Sequence, residues 1–103
     1  MKIKRRWPKH KKWIESLRCL AHNRLIDPCH GDVVGHHVRR GTDGGRGLQP
    51  SDWWLVPLCH KHHGELHQYG DYSFEWKYDL HLRDAAIALA EKSPDKKMQE
   101  AMP

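Results

Sequence analysis

Phenylalanine occurs once in this chain, cysteine three times, and no run of apolar residues approaches the roughly 18 needed to span a bilayer. Each shortage excludes something. A domain of 103 residues buries only about 60 to 65% of the surface its unfolded chain exposes, and with 38% hydrophobic against 30% charged residues the core needs a metal or disulfide staple. Three cysteines cannot all pair within one chain. Residues 1–30 hold no apolar run of signal-peptide length, so a soluble protein of the reducing cytoplasm with zinc-type ligands is expected, not a secreted disulfide scaffold. Acid is missing from one place in particular. The first twelve residues, MKIKRRWPKHKK, hold seven Lys or Arg and no Asp or Glu, which leaves 11 basic and 13 acidic side chains in the other 91. Such an arm reads as a phosphate-binding tail; the alternative is a solvated terminus that aids solubility.

What is present is histidine, ten in all. Trp13, Ile14 and Leu17 have helical spacing in residues 9–18, which places a short amphipathic helix before Cys19. Asn23, Asp27-Pro28 and Gly31 then break regular structure into a knuckle. DVVGHHV has strand character and ends in His36 and His37. RRGTDGGRGLQPSD, with five Gly or Pro in fourteen residues, is a loop. WWLVPLC fits a second short strand. A helix follows over residues 59–69, with Gly70 as its stop. DLHLRDAAIALAEK predicts a last helix beginning near Asp79, and the tail after Ser93-Pro94 has little to bury and is expected to fray. The expected division is a basic arm over 1–12, one domain over 13–92 and a flexible tail over 93–103.

Two ligand sets follow. Cys59-x-x-His62 has the spacing by which one turn directs two ligands at one tetrahedral ion. Cys19 and Cys29 complete a structural zinc set, with His22, in the equally spaced Cys19-x-x-His22, as the alternative fourth ligand. The second set is His36, His37, His63 and His67. An i, i+4 pair on a helix binds one ion, and a third ligand from the strand leaves positions open for water and phosphate. Adjacent strand residues point to opposite faces, so one of His36 and His37 would be a ligand and the other a base. His10, His30, His60 and His81 are read as solvated or satisfied.

GHHV, a Gly-rich loop and WLVPLCHKHHGELH together resemble the HNH endonuclease superfamily, with its ββα-metal core. Within it, PCHGDVVGHHVRRGTDGGRGLQPSDWWLVPLCHKHHGELHQYG and SFEWKYDLHLRDAAIALA look like the phage and prophage group of Ref-type recombination enhancement nucleases. The similarity spans residues 9–90. It implies an α+β single domain with a zinc-stapled ββα-metal core flanked by an N-terminal and a C-terminal helix. It also implies His36, His63 and His67 as ligands of one catalytic divalent ion (Mg, Mn, Ni or Zn), with His37 as general base. Cys59 and His62 fall where the family has a Cys-x-x-Cys pair for structural zinc. The asparagine usual at the start of the second strand is Trp54 here, and Asp52 is expected to replace it by accepting backbone N–H groups of the loop.

The function so implied is metal-dependent DNA hydrolysis in a bacterial host cell, nicking or weakly sequence-specific. Arg39, Arg40, Arg46, Lys4, Arg5 and Arg6 are the candidate phosphate contacts, and host or phage recombination proteins are possible partners. Two other functions compete. One is a zinc-bound DNA-binding module without catalysis, against which the presence of His37 counts. The other is an adaptor of recombination or packaging proteins that docks through Trp53, Trp54 and Trp76; in so small a domain such residues more often pack internally.

Overall fold

The computed structural model describes residues 4–22 and 26–103, and Asn23, expected to break the knuckle, lies outside them. Helix α1 spans Pro8–Glu15, with proline in the first turn, where its missing N–H costs nothing. Strand β1 spans Val33–His37, and a 3-10 turn over Asp52–Trp54 leads into β2, Leu55–Cys59. Four more helices follow: α2 over His60–Tyr69, α3 over Asp71–Tyr78, α4 over Leu82–Glu91 and α5 over Lys96–Ala101. The described residues thus form a small α+β domain.

β1 and β2 pair antiparallel, with Val33 opposite Cys59 and His37 opposite Leu55. All five residues of β2 are buried, because helices cover the hairpin. At Gly35 a Cβ would lie 3.1 Å from Leu55 Cδ2, so the Leu55 side chain packs over β1 more closely than a larger residue there would easily allow. The main core joins Val56 and Leu58 of β2 to Leu66, Phe74, Tyr78, Leu82 and Ala86 of the helices.

Four expectations need correction. Residues 71–78 form a helix that the sequence pattern does not predict; Gly70, at φ 88°, turns the chain so that α3 starts directly after α2. The following helix begins at Leu82, not near Asp79, because Asp79 adopts a left-handed conformation at φ 53° that closes α3. The tail after Ser93 does not fray. Asp95 caps α5 by accepting the Met98 N–H, and Met98 is fully buried against Trp7, Trp53 and Ala90. The same small cluster corrects the basic arm: Trp7 is 6% exposed, so the described part of residues 1–12 is packed on the domain, and its boundary does not fall at residue 13.

Candidate functional site

The Cys59 side chain sits at the start of α2 and accepts the His62 N–H at 3.4 Å, so capping the helix also fixes the Cys59-x-x-His62 turn. Cys19 reaches the same point from the segment after α1, where the Leu20 N–H donates to the Pro57 carbonyl at 2.8 Å. Cys29 arrives from the loop before β1, where the Lys61 N–H donates to the His30 carbonyl at 3.0 Å. Around His62 Nδ1 the three sulfurs lie at 3.1 Å (Cys59), 3.5 Å (Cys19) and 3.6 Å (Cys29). All four donor atoms fall within 4.8 Å of one another. His22 is exposed and outside this group, so the fourth member is Cys29.

The donor set fits zinc. Zn–S of about 2.3 Å and Zn–N of about 2.0 Å at a tetrahedral angle place S···N edges near 3.5 Å. The other ring nitrogen, His62 Nε2, lies 3.2 Å from the Asp27 carbonyl oxygen. That contact puts the proton on Nε2 and leaves the Nδ1 lone pair for a cation, the orienting partner that metal-bound histidines characteristically have. Burial, with the neighbouring cysteines, pushes the Cys29 thiol up to about 12. At Cys59 burial also opposes ionisation, but N–H groups of His62 and His30 outweigh it and the thiol is lowered. A divalent cation would bring all three to thiolates.

One residue further along α2 the chain faces a different cluster. His36 of β1 meets His63 and His67, with ring centroids 5.2 and 5.5 Å away. The Nε2 atoms of His63 and His67 are 3.0 Å apart. Burial, then the neighbouring imidazoles, pushes His36 down to about 3 and lowers His63. Neutral imidazoles converging at this distance are suited to share one cation. They line an open cleft of ≈ 510 Å³ together with Gly35, His37, Arg39 and Gln49.

His37 enters this cleft and is held from behind. Its Nε2 lies 2.8 Å from Asp52 Oδ1, and Asp52 Oδ2 accepts the Trp7 N–H at 2.8 Å. Arg6 Nη1 donates to Asp52 Oδ1 at 2.6 Å and lies 3.1 Å from His37 Nε2. An ionised carboxylate can only accept, so the His37 Nε2–H donates to Asp52; Arg6 Nη1 donates to Asp52 and to the Pro50 carbonyl at 2.9 Å, and the lone pair of His37 sits on Nδ1. Burial of Asp52 favours its neutral form, but the bonds from His37, the Trp7 N–H and Arg6 win and hold the carboxyl down at about 2.

Asp52 therefore does something other than expected. It orients the imidazole and the Arg6-Trp7 segment, while the loop is held by Asp43, which accepts both the N–H and the hydroxyl of Ser51. Arg5 donates to the Asp43 and Gln49 carbonyls at 2.8 and 3.2 Å, so it is a loop staple, not a free phosphate contact. Arg40 pairs with Glu75 at 2.6 Å and stacks over Tyr72, and Lys4 lies over Trp7. Arg46 is exposed in the loop. Of the six candidate phosphate contacts, Arg39 lines the cleft and Arg6 borders it through His37. Sequence reasoning missed the roles of Asp43 and Arg6. Asp43 had a signal, an aspartate directly before Gly44-Gly45; Arg6 had none beyond its charge.

A family model described as a protein of unknown function, DUF968, matches residues 2–93. The chain belongs to the DUF968 family. Over 94 residues this DUF968 chain is 36% identical to the uncharacterized protein YdfU of Escherichia coli strain K12, an alignment covering 84% of this chain and 25% of that one. The chain thus spans about a quarter of that relative's length. No solved structure matches. The DUF968 match takes in both clusters and Asp52 and ends before α5. Among the described residues, no helix is long and apolar enough to cross a membrane.

Proposed function

We propose that this chain is a metal-dependent DNA endonuclease of the HNH type, in which β1, β2 and α2 form a ββα-metal core. His36, His63 and His67 would hold one divalent ion, and Cys19, Cys29, Cys59 and His62 a structural zinc. The observation that carries the reading is His37: a base with its Nε2 tied to a buried carboxylate, lining the same cleft as three converging imidazoles.

The chemistry follows from these positions. His37 Nδ1 takes a proton from a water that attacks the phosphorus, and the Asp52 carboxylate stabilises the imidazolium so formed. Arg6 holds Asp52 ionised and aligned. A divalent ion at the three histidines supplies Lewis-acid stabilisation of charge on the phosphate and the leaving oxygen. Arg39 lies where the next phosphate would pass. The side chains assigned to the cleft address a phosphate and not a base edge, which supports nicking or weak sequence specificity. The phage or prophage setting and any link to recombination proteins rest on the sequence resemblance.

Plasmid cleavage measured in Mg, Mn, Ni and Zn, each with an EDTA control, tests the proposal. Nicked or linear product in at least one metal, abolished by EDTA, is the expected result. DNA binding without cleavage in any metal would instead favour the non-catalytic module.

A further inference from the structure

Beside the histidine cleft lies a larger groove, ≈ 750 Å³, lined by His60, Gly64, Gln68 and Tyr69 of α2 with Ser73 and Lys77 of α3. Helical geometry makes the two neighbours. His63 and His67 form one row along α2, and His60, Gly64 and Gln68 form the next.

Gly64 is the second observation. After proline, glycine weakens a helix interior most, and where it persists a close approach usually explains it. Among the described residues nothing beyond the helix's own backbone approaches: a Cβ on Gly64 would meet open space to 4 Å. Gly64 thus leaves the floor of the groove open, with room for a ligand to lie directly on the helix backbone.

The walls say what that is. Asp27 is engaged by Lys61, and Glu65 by Lys77 and the Tyr78 hydroxyl, so the charges of the wall cancel in place. What remains are uncharged or weakly basic groups, His60, Gln68 and Ser73, and the ring of Tyr69, which is 61% exposed. A phosphate would find no unpaired cation among these, whereas a nucleobase would find an aromatic face to stack on and an amide and hydroxyl for its edge.

We infer that this groove is a base-binding subsite for an unpaired nucleotide next to the scissile phosphate, crossing α2 over Gly64. This rests on the nuclease reading above and deepens it, since it makes strands with unpaired nucleotides the preferred substrate. A base inside a duplex is stacked and paired and cannot enter.

The test measures binding without turnover, in the His37→Ala background, by fluorescence anisotropy with a short single-stranded oligonucleotide and with the duplex of the same sequence. Gly64→Ala and Tyr69→Ala are each expected to weaken single-strand binding about tenfold and duplex binding far less. The melting temperature of Gly64→Ala is expected to hold or rise, since alanine favours the helix and meets no neighbour. Unchanged single-strand affinity in both variants would overturn the subsite and leave the nuclease reading standing. Equal losses on single strand and duplex would also overturn it, because the groove would then follow the backbone. If the parent bound neither DNA, the nuclease reading itself would fail.

Discussion

Helix α2 carries His62 into a largely buried cluster of four donors and His63, one residue later, into an open cluster of three. At the first, Cys59 is 1% exposed, Cys19 5% and His62 not at all; at the second, His36 and His63 are half-buried and His67 is exposed. The closed set has three of its four donors buried, with Cys29 half-buried, and its imidazole locked by the Asp27 carbonyl. The open set has room for a water and a phosphate, and a further histidine aimed at that room. One helix start thus divides a closed donor set from an open one by a single residue, because successive helical side chains are rotated by about 100°.

The sharpest way to break this contrast is to remove one donor from each side. Cys59→Ser is expected to lower zinc content and destabilise the fold by several kcal/mol, because binding of a structural metal is coupled to folding. His67→Ala should cost less than about 1 kcal/mol, as expected for an exposed side chain. Metal content and chemical unfolding of both variants would check this. Equal losses of stability would mean that the clusters are not divided as described.

His37→Ala addresses the open side alone. Loss of a positioned general base is expected to lower the cleavage rate by about 10²- to 10⁴-fold, while zinc content stays near that of the parent and the melting temperature falls only by what the lost bond to Asp52 contributes. Full activity in single-turnover cleavage would remove His37 from the mechanism.

Asp52→Asn tests the link between His37 and the packed N-terminal segment. The side chain still offers an oxygen to the His37 Nε2–H but no charge for the imidazolium, a loss of about 1.5 to 3 kcal/mol, or roughly ten- to hundredfold in rate. The carboxyl also carries a pH signature. Its folded value of about 2 lies below the 3.8 of an unperturbed aspartate, so its stabilisation is complete above about pH 4 and is lost as the pH falls towards 2. It amounts to about 2 kcal/mol. The difference in unfolding free energy between parent and Asp52→Asn should shrink across that window; a constant difference would mean that the carboxylate is not the stabilising group.

The clusters were legible in the sequence because their spacings are local. Cys59-x-x-His62 and His63-x-x-x-His67 each lie within about one turn of helix, where sequence separation alone sets proximity. What failed to show were features that depend on distant partners. Met98 is buried only because Trp7 and Trp53 come to it from the other end of the chain, so a tail with little apolar content of its own reads as frayed. Helix α3 escaped for another reason. It buries Phe74 and Tyr78 but exposes Tyr72 and Trp76, and with aromatics on both faces no helical period stands out. Arg6 and Asp52 are 46 residues apart, and nothing local to either marks them as partners.

The smallest expected effect separates two adjacent arginines that the sequence treats alike. Arg39 lines the cleft, whereas Arg40 is held by Glu75 and lies over Tyr72. A contact to one phosphate releases about one counterion, so Arg39→Ala should reduce the slope of log affinity against log salt by about 1. Arg40→Ala should leave the slope unchanged, since its charge is already spent on Glu75. Binding titrations at several salt concentrations would resolve the pair. A reduced slope for both would show that the Glu75 pair opens on binding and that Arg40 joins the phosphate path, extending the DNA track from the cleft towards α3.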